Sequence, residues 1–448
     1  MLGTWKLTGE HMQPLTVQAE SGLDIMKAPE SVSQLGVRRP LLEELVLKTI
    51  HVLAPPTLVE LASIMCLSYH VVDDLFRRLR SEQLIEVTGM VKNAPQIGLT
   101  SQGRSRALEF LALNHYVGAS PVSLADYVEQ TRRQSVRNLG VLPQDIHRAF
   151  SHLVLDELTR TKLGTALNSG ASIFLYGPSG TGKTAIATAI PRVFSDNRVW
   201  IPFAVQMDGQ IITVYDAHLH SKIDEPLPDD TDRRWVLCHR PTVLVGGELT
   251  FEMLELQLNP ITKFYTAPVQ MKANNGVLII DDFGRQRLRP DELLNRWVVP
   301  LDRGIDFLSL AGGRKVEIPF ELFVVFATNL DPAALADPAF LRRIQTKIKV
   351  GAVPPVRFHN IFRQVCDEWG MEYKRDMVDE LITIIKEIGE PLRACHPRDI
   401  VNQIRWSARY ANREPVLDSD SVLAAVDAYF VSEDSDEDSS QPQPTEYN

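Results

Sequence analysis

The octapeptide Gly177-Pro178-Ser179-Gly180-Thr181-Gly182-Lys183-Thr184 constrains this 448-residue chain more than any other segment. It matches G-x-x-x-x-G-K-[ST] at every fixed position. Glycines at that spacing let backbone N–H groups close around phosphate oxygens. The Lys183 ammonium can then reach the β- and γ-phosphates of a nucleotide, and the Thr184 hydroxyl can ligate Mg2+. The flanks suit the loop. Residues 172–176 read as a short apolar strand entering it, and residues 185–194 as the helix leaving it, with the helix N-terminus facing the anion.

A second signal lies downstream. Asn275-Gly276 reads as a turn, and Val277-Leu278-Ile279-Ile280 as a buried parallel strand that ends in Asp281-Asp282. Open α/β sheets bind ligands at such strand ends. Asp281 would hold Mg2+ through its waters, and Asp282 would polarise the attacking water. A third apolar run, residues 322–327, ends in Thr328-Asn329.

The order of these three motifs resembles the AAA+ ATPases, P-loop NTPases, over about residues 140–430. The resemblance implies an α/β fold: a three-layer αβα core with a parallel sheet, followed by a C-terminal α-helical lid. It implies ATP and Mg2+ as cofactors and ATP hydrolysis as the activity. Asn329 falls at the family's sensor 1, which orients the hydrolytic water. Ala339-Phe340-Leu341-Arg342-Arg343-Ile344 resembles the arginine-finger segment that reaches a neighbouring subunit's nucleotide. His396-Pro397-Arg398-Asp399-Ile400 resembles the start of the sensor 2 helix, with Arg398 as its arginine. One position departs from the pattern. Most members carry Glu where this chain has Asp282, one methylene shorter, so the water must sit closer or be held differently.

Composition bounds the rest. The hydrophobic content, 44%, is that of an ordinary globular protein. No apolar run is long enough to span a bilayer, and the N-terminus has no apolar signal core, which predicts a cytoplasmic protein without membrane insertion. Cys66, Cys238, Cys366 and Cys395 show no metal-type pairing and read as reduced thiols. The net charge is −10, and six of the acidic groups sit in residues 432–448, which hold no basic residue. That stretch reads as a disordered acidic tail.

Six segments follow: a flexible stretch 1–38, a small domain 40–114, a linker 115–140, the nucleotide-binding α/β domain 141–353, the lid 354–431 and the tail 432–448. Residues 40–114 read as helix, helix, helix, strand, wing, strand, helix. They resemble a small α+β winged helix-turn-helix domain. Its seven basic residues are outweighed by eight acidic ones, and Asp73-Asp74 fall in the first half of the recognition helix. That balance argues for protein docking over DNA contact, which usually shows a basic face. Between the phosphate loop and Asp281, residues 205–216 read as a hairpin turning at Asp208-Gly209, and 243–258 resemble the helix-2 insertion of the MoxR-like branch. Residues 306–317 resemble its pre-sensor-1 hairpin. Phe264 and Tyr265 could grip a substrate or lie in the core. In that branch such insertions line the pore side of a ring, which predicts a homo-oligomeric ring, a hexamer, acting on an unidentified protein client. The alternative is an ATP-gated DNA-binding regulator or replication-type loader that works through residues 40–114.

Overall fold

The computed structural model describes residues 26–53, 55–91, 94–170, 172–335 and 341–430. At its centre lie five parallel strands: β1 (Ser172–Tyr176), β2 (Thr242–Val245), β3 (Val277–Ile280), β4 (Phe323–Thr328) and β5 (Thr346–Lys349). They pair in the order β5-β1-β4-β3-β2. Alternation along each strand explains the layers. Ile173 and Leu175, Ile279, and Val325 face one core, packed by helices Glu157–Ser169 and Lys183–Ala189. Phe174, Leu278, Ile280, Val324 and Phe326 face a second core, closed by Trp297, Leu293 and Phe320. Both faces are therefore covered by helices, and the chain has the three-layer αβα core of a P-loop protein. β2 is the edge strand of this sheet, although its sequence reads as the start of an insertion. Its pairing partner β3 lies more than thirty residues away, and nothing local marks it as part of the core.

Four helices follow the sheet: Pro355–Trp369, Arg375–Glu387, His396–Tyr410 and Ser419–Tyr429. They bury Phe358, Phe362, Leu381, Ile385 and Ile400 around one core. The tail 432–448 lies outside the described residues. Among the described residues no helix is long and apolar enough to cross a membrane.

The insertion before β2 is β-rich. Ala204–Met207 and Gln210–Thr213 pair across Asp208 and Gly209, both at positive φ, as the hairpin reading requires. This hairpin belongs to a second sheet of five short strands. Val122–Ser123 from the supposed linker forms one edge of that sheet, and Gln257–Leu258 with Tyr265–Thr266 the other. Two-residue strands carry no readable period, so the sequence concealed this sheet. Tyr265 is buried in it, and Phe264 packs edge-on against Tyr116 of the N-terminal core at 5.5 Å. Both aromatics are structural. Ile305–Ser309 and Lys315–Pro319 form the expected hairpin around Gly312-Gly313.

The N-terminal region contains helices Arg39–Val52, Leu58–Met65 and Tyr69–Ser81, an antiparallel strand pair Ile85–Val91 and Ala94–Leu99, and helix Ser101–Leu113. Within the segment expected to be flexible, Val32, Leu35 and Val37 are buried in the core of this unit, so residues 26–38 are part of the fold. Residues 1–25 lie outside the described residues. The linker is anchored too. Tyr127 Oη accepts from Asn274 Nδ2 at 2.9 Å, and the Thr131 carbonyl accepts from Asn275 Nδ2 at 2.7 Å. Helix Leu124–Arg133 is thus tied to the turn that enters β3.

That turn admits no side chain at its second position. A Cβ on Gly276 would lie 2.0 Å from the Pro241 carbonyl oxygen, which already accepts from Val277 N. Gly276→Ala should therefore destabilise the protein by about 1–3 kcal/mol, as overpacking does. Gly140→Ala, with nothing within 4 Å, should not. Thermal melting of the two variants checks this.

Candidate nucleotide site

Register brings the motifs together. Tyr176 at the end of β1 pairs with Thr328 at the end of β4, so Gly177 and Asn329 emerge side by side. Ile280 at the end of β3 pairs with Phe326, and Asp281 follows on the same edge. The phosphate loop lies tight on its neighbours. A Cβ on Gly177 would meet the Val350 carbonyl oxygen at 2.0 Å, and Gly177, Gly180 and Gly182 all have positive φ. These positions need glycine. Inside the loop, Thr181 Oγ1 and Lys183 Nζ both donate to the Pro178 carbonyl, at 2.9 and 2.7 Å. Two side chains of the loop are thus tied back to its own backbone.

Lys183 is only 8% exposed. Burial pushes its ammonium below the usual range, against the opposite pull of Asp282 and Asp281. Thr184 Oγ1 donates to Asp281 Oδ1 at 3.2 Å, and the same oxygen accepts from Asp282 N at 3.0 Å. One hydroxyl and one carboxylate therefore already meet where Mg2+ would be shared. Asn329 Oδ1 is buried without a hydrogen-bond partner among the described residues. A buried acceptor left open is costly, and a ligand or water would satisfy it. These oxygen donors suit a hard cation, and the glycine cradle with the buried lysine suits a polyphosphate.

Asp282 lies at φ +49°. Asp and Asn are enriched in this left-handed region because their short side chains bond locally. The backbone conformation therefore gives a reason for Asp at this position. The turn is fixed from both sides. Phe283 N donates to the Ala327 carbonyl at 2.7 Å, and Gln286 Nε2 donates to the Asp281 carbonyl at 2.8 Å.

A cavity of about 260 Å3 opens beside Thr181, between Val154, the β5 exit Val350–Val353 and Ile361 of the first lid helix. An ion pair between Asp156 and Arg357 closes its rim. Its position continues the phosphate loop toward the lid, as a base attached to those phosphates would.

The sequence-assigned arginines are exposed or paired with carboxylates outside the phosphate loop. Arg342 is exposed. Arg343 Nε donates to Asp302 Oδ2 at 2.7 Å. Residues 339 and 340 of the finger segment lie outside the described residues. Arg398 is exposed and pairs with Glu368 at 2.9 Å. A residue that sequence reasoning missed is nearer. The segment 393–395 packs on the loop: Cys395 N donates to the Gly180 carbonyl at 3.0 Å, and Arg393 Cδ lies 3.4 Å from where a Gly180 Cβ would stand. Arg393 Nε is buried with no hydrogen-bond partner among the described residues, while its Nη2 donates to Glu390 at 2.6 Å. The only sequence cue was its place just before the His396 helix, where Arg398 drew attention instead.

A family model described as a domain of unknown function, DUF8689, matches residues 354–428, the four lid helices. No curated protein matches the chain. Among solved structures the chain is similar to NtrX from Brucella abortus, at TM-score 0.39 and 15% identity, covering 63% of this chain and 56% of that one. It is also similar to NtrX in complex with ADP, at TM-score 0.38 and 15% identity over 72% and 65% of the two chains. The Thermotoga maritima RuvB Holliday junction branch migration motor matches at TM-score 0.35 and 13% identity, over 61% and 69%. This chain thus spans less than two thirds of the NtrX chains.

Arg393→Ala should weaken binding of a labelled adenine nucleotide about ten- to a hundredfold, the value of one charge-assisted hydrogen bond. Arg398→Ala should change it by no more than about threefold, as for an exposed pair. Equilibrium titration of both variants checks the ranking.

Proposed function

We propose that this chain is a Mg2+-dependent AAA+ ATPase that assembles into a homo-oligomeric ring, a hexamer, and couples ATP hydrolysis to remodelling of a protein partner. One observation carries the hydrolase part. A buried lysine, a Thr–Asp pair, a second aspartate and an open asparagine acceptor converge at the ends of three adjacent parallel strands. Mg2+ held by Thr184 and Asp281 would neutralise charge across the β- and γ-phosphates. Lys183 binds the same phosphates from below. Asp282 accepts a hydrogen bond from the attacking water, and Asn329 orients that water from β4. Arg342 or Arg343 would act on a neighbour's nucleotide, and Arg398 or Arg393 from the lid of the same chain. The β-rich insertion and the hairpin at Gly312-Gly313 support placing the chain in the MoxR-like branch.

Residues 40–114 are read as a winged helix that docks protein. Two of its arginines, and Arg39 just before it, are already paired with carboxylates: Arg39 on Asp74, Arg77 on Asp73 and Arg78 on Glu82, at 2.7, 2.7 and 2.9 Å. Val59, Met90 and Val91 are exposed instead. Phosphate contact would have to compete with those carboxylates.

Lys183→Ala should abolish ATP binding. Asp282→Asn keeps a residue that tolerates the left-handed backbone, so ATP should bind nearly normally while turnover falls about 10²–10⁴-fold. Asp282→Glu should also slow turnover, because Glu fits that backbone less well and its longer arm crowds the water. Steady-state ATPase assays alongside direct ATP binding check all three. Undiminished turnover in Asp282→Asn would remove Asp282 as the catalytic carboxylate.

For the ring, mixing Arg342→Ala/Arg343→Ala subunits with Asp282→Asn subunits should restore some turnover, since some interfaces then pair an intact finger with an intact site. Turnover that stays at the level of either variant alone counts against a finger acting between subunits.

A further inference from the structure

The last two lid helices carry a surface that the nucleotide site does not use. A groove of about 290 Å3 runs between helices His396–Tyr410 and Ser419–Tyr429, from Ala428 to Tyr410 and Arg413, with Ala424 and Ala425 along it. At that far end it meets a hollow of about 500 Å3 lined by Arg405, Arg409 and Arg413, with Glu414 on its edge. Trp406 is 59% and Tyr410 95% exposed there. Arg405 stacks on Trp369, 3.4 Å from the ring centre, which holds its guanidinium toward the hollow. Arg409 and Arg413 form no salt bridge among the described residues; the Arg413 charge acts on Asp418 only weakly, behind that carboxylate's hydrogen bonds to Ser421. A row of three arginines around two exposed aromatic rings is a surface for a flexible acidic strand.

Such a strand begins beside the groove's other end. The described chain stops at Phe430, packed on His396 at 5.3 Å, two residues past Ala428. Glu433, Asp434, Asp436, Glu437 and Asp438 follow almost at once. From Ala428 back to Ser421 the helix rises about 10 Å at 1.5 Å per residue. Three or four extended residues at roughly 3.3 Å each cover that length. The carboxylates would thus come level with the arginines without slack or strain. We propose that segment 433–438 of this same chain folds back along the groove and seats its carboxylates on Arg405, Arg409 and Arg413, covering Trp406 and Tyr410. Exposed pairs of this kind are individually weak and screened by salt, so the contact is reversible and a stronger acidic partner could displace it.

Amide hydrogen exchange over residues 403–413 tests this in three proteins: the full chain, the chain ending at Phe430, and a full chain with Glu433→Gln, Asp434→Asn, Asp436→Asn, Glu437→Gln and Asp438→Asn. At low salt, exchange should be roughly three- to tenfold slower in the full chain than in the other two. At high salt the difference should vanish. Equal exchange in all three overturns the proposal, as does protection that survives neutralisation of the five carboxylates. Protection that rises with protein concentration also overturns it, since the surface would then be covered by a second copy.

Discussion

Everything at the candidate nucleotide site depends on the in-register parallel pairing of β1, β4 and β3. Tyr176 against Thr328 and Ile280 against Phe326 set three strand ends on one edge of the sheet. A slip of one residue would turn every side chain to the opposite face, moving Phe174 out of one apolar core and Ile173 out of the other. Each core is packed around particular side chains, so the slip would leave voids and clashes in both, and that packing holds the register the site depends on. The glycines then set the depth of the loop. Gly177 lies against the Val350 carbonyl, and Gly276 against the Pro241 carbonyl. Both the phosphate loop and the Asp281-Asp282 turn are therefore positioned by backbone contact.

The lid and the N-terminal unit meet this edge in different ways. The lid touches it directly, through the Cys395 amide on the Gly180 carbonyl and Arg393 beside the loop. The N-terminal unit reaches it through packing. Its core includes Ala204 and Ile211 of the β-rich insertion, and the helix Leu124–Arg133 holds Asn274 and Asn275 at the entry to β3. A partner held by the N-terminal unit would therefore pull on elements that share hydrogen bonds with the turn that enters β3. The Arg234–Asp232 pair, buried and in contact with the Leu35 and Pro121 carbonyls, makes that junction firm.

The legible parts of this chain were those with local signals. The loop glycines, the apolar run closing on Asp281-Asp282, the Asp208-Gly209 turn and the amphipathic lid helices can each be read within a dozen residues. What escaped was non-local. β2 looks like part of an insertion until its pairing with β3 is seen, and Val122–Ser123 looks like linker until it meets the insertion hairpin. Phe264 and Tyr265 could not be sorted between core and surface because their neighbours come from residues 116 and 212. Arg393 was missed for the same reason: only the folded lid brings it to Gly180. Asp282 illustrates the reverse case. The sequence showed the short carboxylate, and the left-handed backbone supplies the reason for it.

The central claim is that one nucleotide spans the phosphate loop and the cavity beneath the lid. The most direct measurement is a crystal structure of the full chain grown with Mg2+ and a non-hydrolysable ATP analogue. The account expects phosphates within the Gly177–Thr184 loop, a metal on Thr184 Oγ1 and the Asp281 side, and the base between Val350–Val353 and Ile361. An empty loop at saturating analogue, or a nucleotide bound elsewhere with Lys183 still on the Pro178 carbonyl, would contradict it.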